Sequence, residues 1–265
     1  MKAKSWNTLS IQTFIAIVYA VVIVVLISII GIISYVVTSR TVDENTNEYV
    51  YQLVEQINYD IENYLHNVEN TMNSVMANPS VVGFFEMSPE EAEKAEDELS
   101  RELGGYMVSR DDIINIFLFR EDGIVATNEM NHKVKDYVDF IEEPWYKMSV
   151  NTGETEISNS HIQNIIQDRY KWVVSLSSAI DDKNSDEAYG VVLVDLNFNL
   201  IDDMLSNLSL GEKGYMFIID DEGDIIYHPK HELIYSGIKT ESIDRILDSK
   251  DGYVESAEEG RIKNY

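Results

Sequence analysis

Polar positions all but vanish in the first stretch of the chain. Between Ser5 and Ser39 there is no charged residue, and residues 15–37 (IAIVYAVVIVVLISIIGIISYVV) are almost wholly apolar. A bilayer core of about 30 Å is crossed by about 20 helical residues, so this run predicts an uncleaved membrane-spanning helix. A cleaved signal peptide carries a shorter apolar region of about 7–15 residues. Lys2 and Lys4 precede the run, whereas Asp43, Glu44 and Glu48 follow closely on Arg40. That basic bias favours an inside N-terminus, with the bulk of the chain outside the cytoplasm. The period then changes. Over residues 42–77, Val50, Leu53, Val54, Ile57, Ile61, Leu65, Val68, Met72 and Val75 recur mostly at steps of three and four, with Glu, Asn and Gln between them. This pattern predicts an amphipathic stalk helix of roughly 54 Å leaving the membrane directly. Asn78-Pro79 is expected to stop it.

Shorter elements follow. Ser88 is a good N-cap, Pro89 sits at the first helical position and Glu91 completes a capping box, so a helix is predicted up to Gly104-Gly105. Residues 113–119 and 124–128 are apolar runs around Glu121-Asp122-Gly123, which reads as a tight hairpin with glycine at the positive-φ position. Pro144 opens a short helix. Residues 172–180 and 189–197 read as two more strands joined by a polar loop, and connections this short imply antiparallel pairing. After a helix over 198–208, residues 214–220 and 224–227 repeat the first hairpin, with Phe217 matching Phe117 and Gly223 matching Gly123. A short helix over 242–247 and strand-like runs at 252–256 and 261–265 complete the pattern.

The reading is therefore α+β: a membrane helix running into a long stalk helix, then two tandem α+β modules with antiparallel sheets, helices covering one face of each. The expected boundaries are a cytoplasmic N-terminus at 1–12, the span at 13–37, the stalk at 38–78, a first module at 79–197 and a second module at 198–265. The last module reads as truncated, so the chain is expected to be an N-terminal fragment of a longer protein.

Charge and composition narrow the function. With 47 acidic and 20 basic residues among 265, the formal net charge is −27, which disfavours nucleic-acid partners. There is no cysteine, which excludes disulfides, thiolate metal sites and a cysteine nucleophile. No catalytic triad, phosphate loop or cofactor motif stands out, so no catalytic site and no cofactor are expected. The acidic turn Asp220-Asp221-Glu222-Gly223-Asp224 fails the EF-hand spacing and reads as a solvated hairpin turn. His228 and His231, separated by Pro229 and Lys230, read as surface loop histidines, and no metal site is assigned. Trp145 and Tyr146 offer flat apolar faces with polar tips, suited either to a small ligand or to plugging a sheet edge. Asp195, at the end of an apolar strand, is either a helix N-cap or a ligand hook.

Taken in order, the membrane anchor, the long helix, PWYK after a first hairpin, VVSLSSAI, GVVLVDLN and LGEKGYMFIIDDEGDIIYHP resemble the double Cache (dCache) sensor domain of bacterial transmembrane receptors. The resemblance covers residues 38–265 and is nearest in flavour to YesM-like sensor histidine kinases. It implies a cell-membrane location in a bacterium and two PAS-like modules: a membrane-distal one, residues 79–197, that holds a small extracellular solute, and a membrane-proximal one, residues 198–265, that passes the change toward the membrane. A two-component histidine kinase is the output it implies first; a methyl-accepting chemotaxis receptor or a diguanylate cyclase is the alternative, and an anchored adhesion protein lies outside this class. A homodimer through the stalk helix would fit. Amino-acid-binding members carry Tyr, then Arg-x-Trp-Tyr, then Tyr-x-Asp, then Asp. Trp145, Tyr146 and Asp195 match that pattern here; Tyr137 is one residue out of register, and Asp168 and Tyr170 are the candidates nearest the Tyr-x-Asp position. With Glu143 where the arginine would be, Tyr137 out of register and Tyr-x-Asp missing, the motif disfavours an amino acid and leaves a sugar, amine or peptide as at least as good a ligand.

Overall fold

A computed structural model describes residues 11–129, 134–135, 139–181, 188–206, 214–220, 222–237, 241, 243–249, 255–258 and 261–264. Tyr137 lies outside them. The chain divides into two compact units, Met1–Gln56 and Ile57–Tyr265.

Helix α1 runs from Ile11 to Met76 without a break. Its first part contains an 18-residue window of mean hydropathy 3.2 of which none is buried, long and apolar enough to cross a membrane. Ile, Val and Leu side chains are exposed all around it, an arrangement that water penalises and lipid favours.

In the second unit the same helix turns one stripe inward. Ile57, Tyr64, Val68, Met72 and Val75 are buried, the last three completely. The periodicity predicts Leu65 on this stripe, but Tyr64 takes the buried place because its hydroxyl donates to Asp112 at 3.0 Å. Arg110 meets the same carboxylate through both Nε and Nη2, at 2.8 and 2.7 Å. Burial opposes the charge on Asp112, but the bonds from Arg110 and Tyr64 together with the guanidinium charge outweigh it and hold its pKa down.

Asn78 ends the stalk as its sequence suggests and also caps a helix the pattern does not announce, α2 (Pro79–Glu86), by accepting from the Ser80 N–H at 2.8 Å. Helix α3 (Pro89–Met107) starts at the expected capping box, where the Ser88 N–H and hydroxyl both reach Glu91 Oε2. It does not stop at Gly104-Gly105. The extra turn brings Tyr106 to the end of α1, where its hydroxyl donates to the Ser74 carbonyl and accepts from Asn78 Nδ2. A tertiary contact thus overrides a weak local stop signal.

The first module is built on a six-stranded antiparallel sheet. Its strands are β1 (Ile113–Arg120), β2 (Val125–Thr127), β3 (Glu156–Ile157), β4 (His161–Ile162), β5 (Trp172–Asp181) and β6 (Ala188–Leu196). The order is β2-β1-β6-β5-β3, with β4 also pairing β5. The central strands are apolar on both faces, and both faces are covered, which corrects the expectation of a one-sided layer. Ile116, Leu118, Val192, Val194 and Leu176 occupy one face, fully buried toward the α1–α3 layer. On the other face Phe117, Phe119, Val191 and Leu193 pack with Phe140, Tyr146 and Ile166, under helix α4 (Pro144–Thr152). Two features fix the hairpins. Gly123 (φ 87°) makes the β1–β2 turn, and Arg120 ties that turn to α2 through Asp122 and the carbonyls of Phe84 and Met87. Gly190 lies where β6 crosses β1, and a Cβ there would fall 2.0 Å from the Phe119 carbonyl oxygen.

The second module is smaller. Helix α5 (Asn199–Ser206) leads to the hairpin β7 (Ile218–Ile219) and β8 (Ile225–Tyr227), then α6 (His231–Tyr235), α7 (Ile243–Ser249) and the pair β9 (Glu255–Glu258) and β10 (Arg261–Asn264). His228 is fully buried, correcting the surface reading. It lies against Tyr215 and Phe217, accepts the Lys230 N–H at Nδ1 (2.8 Å) and faces Glu241 from Nε2 at 3.1 Å. The acidic turn is not simply solvated either. Asp220 Oδ1 accepts the N–H groups of Glu222 and Asp224, and a Cβ at Gly223 would run into Ile243 and Leu247 of α7.

Candidate ligand site

Side chains alternate across a strand, so residues two apart share a face. The row Asn115, Asp195 and Ser175, set side by side by the register of β1, β6 and β5, therefore lies on the same face as Phe117, Leu193 and Ser177. That is the face covered by α4. Helix α4 grips the neighbouring row through Ser149, whose hydroxyl is 2.8 Å from that of Ser177. Trp145 packs against the same layer, its ring tilted over Phe119 with centroids 4.9 Å apart. Tyr146 is buried in it, and its phenol pKa is raised, first by desolvation and then by the charge of Glu121.

At the centre stands Asp195, completely buried. Ser175 Oγ donates to its Oδ1 at 2.5 Å and Asn115 Nδ2 to its Oδ2 at 3.2 Å. No cationic side chain pairs with it among the described residues apart from nearby His161. Burial raises its pKa, against the two hydrogen bonds and the attraction of His161, which lower it. The His161 ring fixes its own orientation: Nδ1 lies 2.9 Å from the Asn159 carbonyl oxygen, which can only accept. Nε2 points to within 3.5 Å of Ser175 Oγ, which donates to Asp195.

Among the described residues, three buried side-chain polar atoms have no partner: Asn115 Oδ1 and both amide atoms of Gln163. Gln163 is 2% exposed and its N–H bonds the Lys171 carbonyl, continuing the β4–β5 ladder. Strand alternation places it on the same side as His161. Unpartnered buried polar groups are costly, at about 1–3 kcal/mol each, and call for an explanation. Here the Asp195 carboxylate and the unpartnered Asn115 Oδ1 share one place, with the His161 ring beside Ser175. A carboxylate beside an unpartnered acceptor suits a group with positive charge and several N–H donors.

The sequence-selected residues divide. Asp195, Trp145 and Tyr146 share this face. Asp168 and Tyr170 do not join them. Both sit on the exposed turn after β4, Asp168 at φ 58° and Tyr170 70% exposed under Lys135 Nζ. Asn115, Ser175, His161 and Gln163 were missed. Their signal was present: Asn115 and Ser175 are polar residues on inward positions of apolar strands, and His161-x-Gln163 has the spacing of the Tyr-x-Asp pair. Glu143 is the N-cap of α4, half-buried at the start of that helix rather than in the sheet row.

A polar row inside an aromatic-roofed antiparallel sheet, followed by a second small α+β module and preceded by a membrane-length helix, defines a tandem PAS-like domain of a membrane-anchored protein. The strand order and the repeated hairpin carry that assignment over nearly the whole of the second unit. The chain belongs to the Cache domain family, matching its dCache_1 form over residues 38–264.

Among curated proteins, it is 23% identical over 122 residues to the methyl-accepting chemotaxis protein PctB of Pseudomonas aeruginosa, a match that takes in 46% of this chain and 18% of that protein. Among solved structures, the ligand-binding domain of the Campylobacter jejuni chemoreceptor Tlp3 in complex with L-norvaline superposes with a TM-score of 0.60 at 14% identity, over 83% of this chain and 85% of that one. That of the Pseudomonas fluorescens chemoreceptor CtaA in complex with L-isoleucine gives 0.60 at 17% identity, over 85% and 86%. These findings overturn the expectation that an amino acid is the wrong kind of ligand. Domains of this fold are solved with amino acids bound, and Glu143, one of the positions behind the objection, lies outside the polar row.

Proposed function

We propose that this chain is the extracytoplasmic sensing region of a bacterial membrane receptor, and that the Asp195 site takes the ammonium group of a small amino acid. The observation that carries the reading is the buried Asp195 carboxylate, held by two neutral donors beside the unpartnered Asn115 Oδ1. An ammonium brings three N–H donors and the missing charge. Trp145 and Tyr146, on the same face, would roof the apolar part of the ligand. Chemotaxis receptors are the favoured parent class over the histidine kinase suggested first, because the curated relatives are methyl-accepting chemotaxis proteins. Ligand binding would favour one arrangement of the sheet against α1, to the extent that its affinity differs between the two.

The test is a thermal-shift panel of L-amino acids and their deaminated analogues on the 265-residue chain in detergent micelles. A ligand at about 100 times its Kd stabilises by about 2.7 kcal/mol, which for a unit of this size raises Tm by roughly 5–10 °C. A shift with at least one amino acid and none with its deaminated analogue supports the reading. No shift with any amino acid at millimolar concentration sinks it.

A further inference from the structure

Strands β3 and β4 both pair with β5, at Ser177/Leu176 and at Val173/Trp172. Between them, residues 158–160 bridge from one attachment to the other. At one end Ser158 is bound reciprocally to Ser175: its N–H donates to the Ser175 carbonyl at 2.8 Å, and its hydroxyl accepts the Ser175 N–H at 2.9 Å. At the other end is His161, whose ring faces Ser175 and Asp195 and holds the Asn159 carbonyl at 2.9 Å. Both ends are therefore fastened to the residues that surround Asp195.

The middle of the bridge reaches into the other module. Asn159 Nδ2 donates to Asp224 Oδ2 at 2.9 Å, and Ser160 Oγ lies 3.5 Å from the Ile225 carbonyl oxygen. Those two residues are the turn and first position of β8. The turn is stiff, because Asp220 caps it and Gly223 seats it against α7. A displacement at the strap is thus passed to the whole hairpin rather than absorbed in a loose loop.

We propose that residues 158–161 form a strap that reports the state of the Asp195 site to the β7–β8 hairpin of the second module. This rests on the reading of Asp195 as a ligand site. An ammonium arriving at Asp195 competes with Ser175 for the carboxylate. That moves Ser175, to whose backbone the strap is hydrogen-bonded at both N–H and carbonyl. The two modules also meet through rings, Trp172 against His231 and Tyr235, and Phe198 against His231. That contact touches none of the Asp195 partners. It keeps the modules docked when the strap is cut, so transmission and docking are separable. By linkage, a strap that carries the site's state to the hairpin also lets the hairpin bias the site.

The experiment is hydrogen exchange on the 265-residue chain in detergent micelles, read over peptides spanning β4–β5 and β7–β8, with and without saturating L-isoleucine or the strongest amino acid of the thermal-shift panel. In the wild type, the ligand slows exchange in both regions, by about fivefold or more in β7–β8. In Asn159→Ala/Ser160→Ala, two substitutions at solvent-accessible positions, β4–β5 still responds and β7–β8 no longer does. A ligand-free arm uses Asp195→Asn, which changes β7–β8 exchange only when the strap is intact. The proposal is overturned if the hairpin responds without the strap, or if it stays unmoved while β4–β5 responds. If no amino acid slows exchange at β4–β5, the amino-acid reading has failed, and the Asp195→Asn arm alone decides the strap.

Discussion

Replacing Asp195 by asparagine should make the empty protein more stable and the site unable to bind. The carboxylate is completely buried, and burial raises its pKa in spite of the bonds from Ser175 and Asn115 and the attraction of His161. Ionising that carboxyl inside the sheet is therefore penalised. In Asp195→Asn the charge disappears while the side-chain volume hardly changes. Ser175 still has a carbonyl oxygen to donate to. Asn115 can turn its amide over, so that its unpartnered Oδ1 accepts from the introduced amide. The turnover exchanges an unpartnered acceptor for an unpartnered donor and keeps the number of bonds, so the gain is the removed ionisation penalty, about 1–3 kcal/mol. For a unit of about 200 residues that raises Tm by about 2–12 °C. Ligand affinity moves the other way: removing one member of a buried charge pair costs about 2–5 kcal/mol, roughly 30-fold to several thousand-fold in Kd.

The pH dependence distinguishes this account from mere repacking. A carboxyl whose folded pKa lies above its unfolded value of 3.8 keeps its proton longer in the folded state. Wild-type stability then falls as pH rises from the unfolded value toward the raised one. The advantage of Asp195→Asn should accordingly be small near pH 3.5 and open as pH rises to 7. Differential scanning calorimetry of both proteins across that range measures it. A variant less stable than the wild type at pH 7, or a difference that stays flat with pH, would refute the argument.

Two further predictions follow the same logic. Gln163→Met removes two unpartnered buried polar atoms at nearly constant volume, so it should stabilise the empty chain by about 1–3 kcal/mol in urea melts and weaken any amino acid found in the panel by about tenfold or more; an unchanged affinity would place Gln163 outside the site. Gly190→Ala sets a methyl group 2.0 Å from the Phe119 carbonyl oxygen and 2.7 Å from Phe85 Cε1; the sheet centre cannot yield that distance cheaply, and a loss of more than about 3 kcal/mol, or no folded protein by circular dichroism, is expected.

Much of the architecture is local and was legible residue by residue. Twenty-three near-continuous apolar positions predict a membrane-length helix whatever follows them. Asn78-Pro79, Ser88 with Glu91, Gly123 and Pro144 each act through their own backbone neighbours, and the elements begin and turn where those residues say. The failures fall where a distant contact competes with a local rule. Gly104-Gly105 lies inside α3 because Tyr106 docks on α1. Tyr64 displaces Leu65 from the buried stripe because Asp112 is there to meet it. His228 is interior because Tyr215, Phe217 and Glu241 enclose it.

The site shows the same division more sharply. Sequence alone determined that a carboxylate ends an apolar strand at position 195 and that two aromatics open a helix at 145 and 146. It did not determine what surrounds that carboxylate. Asn115 is 80 residues from it along the chain and Ser175 is 20. They become neighbours only through the register of three antiparallel strands, and a one-residue slip in either pairing would turn them to the opposite face. Register is set by the summed fit of every pair along the ladder and by the bulge between Ile113 and Asn115, not by the residues of the site. Tertiary structure therefore decided which polar side chains share the buried row, and with them what kind of ligand the row can satisfy.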